Sequence, residues 1–144
     1  MDASRLVGTW RLVSMEVREA AGGASYPFGR DAVGYLLYSA DGYMSAAIMT
    51  AGRPAFAAGD ILGGSVEERA GAAATYISYA GRYEVRGDRV VHHVEVSLFP
   101  NWVGGTQERF CEFIGERLAL NTGPMAVAGA MRRAYLVWER AAGG

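Results

Sequence analysis

Three dipeptides constrain this chain more than any other feature: Asp41-Gly42, Gly87-Asp88 and Gly115-Glu116. Each sits between two segments in which apolar and polar side chains alternate. A connection that short can join only antiparallel neighbours, because parallel strands need a crossover of about a dozen residues. The alternation predicts strands over 5–18, 32–39, 43–50, 76–86, 89–98, 106–114, 117–122 and 132–140. The chain is therefore expected to be all-β. One helix interrupts the pattern, over about 66–76. Ser65 and Glu68 form a capping box at its start, and Val66, Ala70, Ala73 and Ile77 give it a narrow face of mostly small side chains.

Following eight strands up and down puts all three tight turns at one end. The long connections, 19–31, 51–75, 99–105 and 123–131, then ring the other end. At 144 residues the chain has room for one core, so the expectation is a single domain over 1–144. An eight-stranded antiparallel up-and-down barrel fits. Its interior is either filled by side chains or holds one small ligand, and the unequal loops favour a ligand entering at the long-loop end. The helix is either a surface element or a lid over that mouth.

The two-residue period of a strand assigns an interior. Over 76–86 it turns Ile77, Tyr79, Gly81, Tyr83 and Val85 inward, and over 89–98 it turns Val90, His92, Val94, Val96 and Leu98 inward. Pairing across Gly87-Asp88 places Tyr83 opposite His92. Gln107, Arg109, Cys111 and Phe113 face in from 106–114. Trp10, Leu12, Ser14 and Glu16 share one face of the first strand; Leu136, Trp138 and Arg140 share one face of the last. The register of the 32–50 hairpin, and with it the partner of Tyr38, stays open, since two loop lengths give opposite answers.

Composition removes whole classes of function. All fourteen basic residues are arginine, so no lysine can form a Schiff base. A single cysteine, Cys111, allows neither an internal disulfide nor a multi-cysteine metal site, and it reads as a small buried hydrophobe. There is no Gly-x-Gly and no Gly-x-Ser-x-Gly, hence no dinucleotide loop, Walker loop or hydrolase elbow. A net charge of −1 offers no surface for nucleic acid, and no apolar run approaches the roughly 20 residues of a membrane span. With patterned sequence starting at the N-terminus, a cytoplasmic location without signal peptide is expected.

Several inward residues have chemistry to offer. His92 could move a proton with Tyr83 as its partner, or it could be a structural histidine bonded to a tyrosine. Arg109 with Gln107 could hold an oxygen that gains negative charge, or Arg109 could pair internally with Glu16. Ser14, Tyr38, Tyr79, Val94 and Val96 are candidates to line a ligand site. Asn101 and Trp102 fall at the expected mouth. His92 and His93 point to opposite faces, so no metal site is expected.

These residues also carry a likeness. Gly8-Thr9-Trp10, with Arg140 at the end of the last strand, is similar to the lipocalin signature. Tyr26-Pro27-Phe28-Gly29, Tyr38-Ser39-Ala40-Asp41-Gly42-Tyr43-Met44-Ser45, Tyr79-Ala80-Gly81-Arg82-Tyr83, His92-His93-Val94-Glu95, Phe99-Pro100-Asn101-Trp102-Val103-Gly104 and Trp138-Glu139-Arg140 resemble the bacterial and fungal lipocalin-like domain more closely. That resemblance implies a barrel whose tryptophan plugs the closed end under the arginine. It also implies either carriage of a hydrophobic molecule or cofactor-free cyclase or isomerase chemistry. The inward polar set, Glu16, Tyr79, Tyr83, His92, Gln107 and Arg109, tilts the expectation to catalysis on a small, mainly apolar, oxygen-bearing molecule, with a non-catalytic carrier as the alternative. No cofactor is expected, and a monomer or homodimer.

Overall fold

Eight long strands run up and down and close on themselves. The computed structural model describes residues 1–142. After a 3-10 turn at Ala3–Arg5 come β1 (Gly8–Arg18), the two-residue β2 (Ala24–Ser25), β3 (Val33–Tyr38), β4 (Tyr43–Met49), α1 (Val66–Ala74), β5 (Tyr76–Arg86) and β6 (Arg89–Ser97). A 3-10 turn at Pro100–Trp102 leads to β7 (Thr106–Ile114), β8 (Arg117–Asn121), β9 (Met125–Val127) and β10 (Ala130–Arg140). The sheet order is β2-β1-β3-β4-β5-β6-β7-β8-β10-β9, and pairing of β1 with β10 closes an eight-stranded antiparallel barrel. The short β2 and β9 extend two strands beyond the barrel; runs of two or three residues carry no readable alternation. The helix stops at Ala74, two residues earlier than its sequence pattern, because Thr75 caps it and Tyr76 already belongs to β5.

Two of the tight turns pair the residues the sequence predicts, Arg86 with Arg89 and Ile114 with Arg117, on glycines with φ of 64° and 61°. The β3–β4 hairpin resolves the open register. Tyr38 pairs with Met44, leaving a longer loop closed by Ser39 N–H donating to the Tyr43 carbonyl at 2.8 Å. Both Tyr38 and Met44 therefore point inward and are buried.

The closed end is solid. Leu6, Trp10, Tyr38, Met44, Val90, Leu118 and Trp138 pack there with almost no exposure. Trp10 Nε1 donates to the Leu6 carbonyl at 2.8 Å. The Arg140 guanidinium lies 4.0 Å over the Trp10 ring and donates to the Val7 and Arg5 carbonyls, tying the N-terminal turn across the barrel floor.

Two β-bulges change which side chains face in. In β1, Leu12 pairs with Trp138 but Ser14 pairs with Val137, so Val13 is an extra residue and the alternation inverts beyond it. Met15 and Val17 face the interior opposite Leu136 and Ala134; Ser14 and Glu16, expected inside, lie on the outer face. In β6, Gly81 pairs with Val94 while Ala80 pairs with Val96, which makes Glu95 the extra residue. Val96, also expected inside, is turned out and 63% exposed. A Cβ at Gly81 would fall 1.8 Å from the His93 carbonyl oxygen, so only glycine permits the strands to approach at this bulge.

Candidate functional site

The mouth half of the barrel is hollow. Its cavity measures about 550 Å³, and all four long connections build its walls: Pro27 and Phe28, Ala73 and Ala74 of α1, Phe99 and Trp102, and Met125 to Ala128. The small side chains of α1 let the helix lie against the opening, as a lid would. From the strands come Met15, Val17, Leu36, Ala46, Ile48, Leu120 and Leu136. No carboxylate or carboxamide side chain lines the cavity among the described residues.

His92 marks its floor. The ring is 1% exposed and held at both nitrogens: Nε2 lies 2.6 Å from Tyr38 Oη, and Nδ1 lies 2.7 Å from Tyr79 Oη. Tyr38 reaches it from β3 and Tyr79 from β5, while the histidine is carried by β6. Burial lowers the His92 pKa to about 3, and the Arg109 charge pushes in the same direction. The imidazole is neutral across the physiological range. Burial also raises the Tyr38 and Tyr79 phenols above their ordinary value, the Arg109 charge opposing this in both, so both remain protonated.

The expected partner of His92 is different. Tyr83 does sit directly across from it in the β5–β6 pairing, yet its hydroxyl donates to the Ser39 carbonyl at 2.7 Å. Side chains paired directly across two strands run side by side, so their tips need not meet. The tips that meet the imidazole are those of Tyr79, beyond Gly81 on the same face of β5, and of Tyr38 from across the barrel. Tyr83 instead packs edge-on to Tyr38, with centroids 4.7 Å apart. Nothing in the sequence could connect Tyr38 to His92 while the 32–50 register was undetermined.

Arg109 lines the cavity. Its Nη2 donates to Gln107 Oε1 at 3.1 Å and its Nη1 to the Glu108 carbonyl at 3.0 Å. Gln107 thus steadies the guanidinium and does not itself line the space. The alternative internal pair with Glu16 is absent, because the β1 bulge turns Glu16 outward, where it accepts from Arg18 Nε at 2.8 Å and from Tyr26 Oη at 3.3 Å. Trp102 packs edge-on to Tyr79 at 5.5 Å and to Phe99 at 5.6 Å, closing one side of the mouth. Its neighbour Asn101 is exposed, and Val94 is buried in the wall without reaching the cavity.

Several lining residues escape sequence reasoning: Met15 and Val17 through the bulge, and Met125 and Val127 because β9 is too short to announce itself. Strand alternation puts Trp138 inside without marking it as a site residue. It is 2% exposed, lines the cavity, and its Nε1 is the buried side-chain polar atom left without a partner among the described residues. Burial pushes the Cys111 thiol up to about 11, which makes it a poor nucleophile. No group of three or more metal-ligating side chains is gathered among the described residues, and no helix there is long and apolar enough to cross a membrane.

Residues 7–141 match the family described as a lipocalin-like domain. The chain is 38% identical over 106 residues, 67% of its length and 96% of the relative's, to the 4'-hydroxy-3'-methoxypropiophenone carrier protein ppsC of Aspergillus oryzae. A lipocalin-like protein from Bacteroides uniformis aligns with a TM-score of 0.48 at 14% identity, covering 94% of this chain and 98% of that one. An uncharacterized protein from Bacteroides eggerthii aligns with a TM-score of 0.48 at 15% identity, covering 93% and 98%.

Proposed function

The chain belongs to the lipocalin-like domain family, and from that premise we propose that it is a carrier, enclosing one small, mainly apolar, oxygen-bearing molecule in the mouth half of its barrel. The observation that carries this reading is the cavity itself. Its volume of about 550 Å³ falls in the range of small-molecule sites, its walls are aliphatic and aromatic, and its polar groups are few. By its name the Aspergillus relative carries a propiophenone, an aromatic ketone. A molecule of that kind has the apolar body and the oxygen functions that this lining suits.

A cofactor-free cyclase or isomerase is the second reading. Arg109 and Tyr79 favour it, since both could stabilise negative charge developing on a substrate oxygen. What counts against it is the lack of a proton acceptor. His92 is committed at both nitrogens and far too weak a base at neutral pH, and no carboxylate lines the cavity among the described residues.

The two readings separate in one experiment. The purified protein is dialysed against propiophenone, denatured, and the released small molecule is weighed by mass spectrometry and checked for isomerisation by chromatography. Carriage predicts stoichiometric retention and unchanged recovery. Conversion of the ketone would overturn it in favour of catalysis, and failure to retain it would remove aromatic ketones from the candidate cargo.

A further inference from the structure

The three-ring chain on the cavity floor has a direction. Neutral imidazole has one N–H donor and one bare nitrogen, so of its two tyrosine partners one must donate to it and the other must accept from it. Tyr38 is 2% exposed, and His92 Nε2 is the hydrogen-bonding group within reach of its hydroxyl among the described residues. If Tyr38 merely accepted, its own hydroxyl hydrogen would be buried with no acceptor, a loss of about 1–3 kcal/mol. Tyr38 therefore donates to Nε2. The ring proton then sits on Nδ1 and is given to Tyr79 Oη, whose own hydrogen is left unspent. Tyr79 lines the cavity; Tyr38 does not.

We infer that Tyr79 presents its hydroxyl hydrogen to the bound molecule, and that with Arg109 it recognises a hydrogen-bond-accepting oxygen such as a ketone carbonyl, an inference that rests on the carrier reading for its ligand and on the Tyr38–His92–Tyr79 geometry for its direction. The rest of the lining agrees. Arg109 spends only part of its five-hydrogen fork on Gln107 and the Glu108 carbonyl and has no accepting capacity at all. Among the described residues no carboxylate or carboxamide oxygen lines the cavity, and the Thr122 hydroxyl oxygen already accepts from the Ala134 N–H at 2.9 Å. A ligand whose oxygen accepts is satisfied there; an ammonium meets no carboxylate among the described residues.

Two measurements test this. The first needs no ligand: the ring-nitrogen NMR spectrum of ¹⁵N-histidine-labelled protein, assigned with His93→Gln, should show His92 protonated at Nδ1 and bare at Nε2. The opposite tautomer would overturn the inference. The second compares propiophenone with propylbenzene, which keeps the shape and lacks the oxygen. Tyr79→Phe should weaken propiophenone by about tenfold, the worth of one hydrogen bond, and change propylbenzene by less than about twofold. Equal binding of the two probes by the wild type, or an unchanged ketone affinity in a folded Tyr79→Phe, would also overturn it. If neither probe binds the wild type, the carrier reading fails for this ligand class, while the tautomer still decides which way the hydroxyls point.

Discussion

Titrating His92 gives the sharpest test of the cavity floor. In the unfolded chain the imidazole takes up a proton near 6.5; in the folded barrel it does so only near 3. Between those values the unfolded state binds more protons than the folded one, so stability rises with pH across this window and falls as pH drops below about 6.5. At about pH 4.5 the ring has crossed two of those units, worth about 3 kcal/mol relative to about pH 7.5. Surface carboxylates held low by hydrogen bonds, Glu84 and Glu68 among them, add a slope of the same sign. The comparison must therefore be with His92→Gln, which cannot take up a proton and leaves those carboxylates in place. Urea unfolding of both proteins at a series of pH values should show the wild type losing about 3 kcal/mol more than the variant between about pH 7.5 and about pH 4.5. Parallel stability curves would refute a buried, neutral His92.

Other consequences follow from the same geometry. Trp10→Ala empties the closed end beneath Arg140 and should cost about 3–5 kcal/mol in urea unfolding; a loss under about 1 kcal/mol would mean the plug is not needed. Gly81→Ala sets a methyl against the His93 carbonyl and should destabilise by about 3 kcal/mol or more, with unchanged stability arguing against the β6 bulge. Ala46→Phe places a ring in the cavity; circular dichroism should remain that of a folded barrel while propiophenone affinity falls at least about tenfold, and unimpaired binding would put the ligand elsewhere.

Much of the barrel was legible because its evidence is local. A turn of two residues dictates its own pairing, which is why Arg86–Arg89, Tyr83–His92 and Phe113–Leu118 could be read directly. Trp10 and Arg140 meet at the closed end for a different reason: up-and-down strand order alone brings these ends of β1 and β10 together. The site was less legible because strand alternation holds only until a residue is inserted. Counting through a bulge puts Ser14 and Glu16 in β1, and Val96 in β6, on the inner face, whereas the inserted residue turns each of them outward. Unbroken alternation thus credits polar residues to an interior that Met15 and Val17 make apolar, and that excess of polarity is what points from the sequence to catalysis. Tyr38 shows the other limit. Its contact with His92 spans 54 positions and depends on a hairpin register that its own loop does not announce.

The Tyr38–His92–Tyr79 chain also partitions the molecule. Below it, Leu6, Trp10, Val90 and Leu118 are packed solid; above it, the walls enclose empty space and draw on three loops and a helix. Substitutions among the lining residues that do not build the floor therefore act on a volume that contributes little cohesion, while the dense half keeps the strands in register. A barrel divided this way can be fitted to a new cargo by changing Phe28, Phe99 or Met125 at the rim, with the burden of folding left to side chains that no cargo touches.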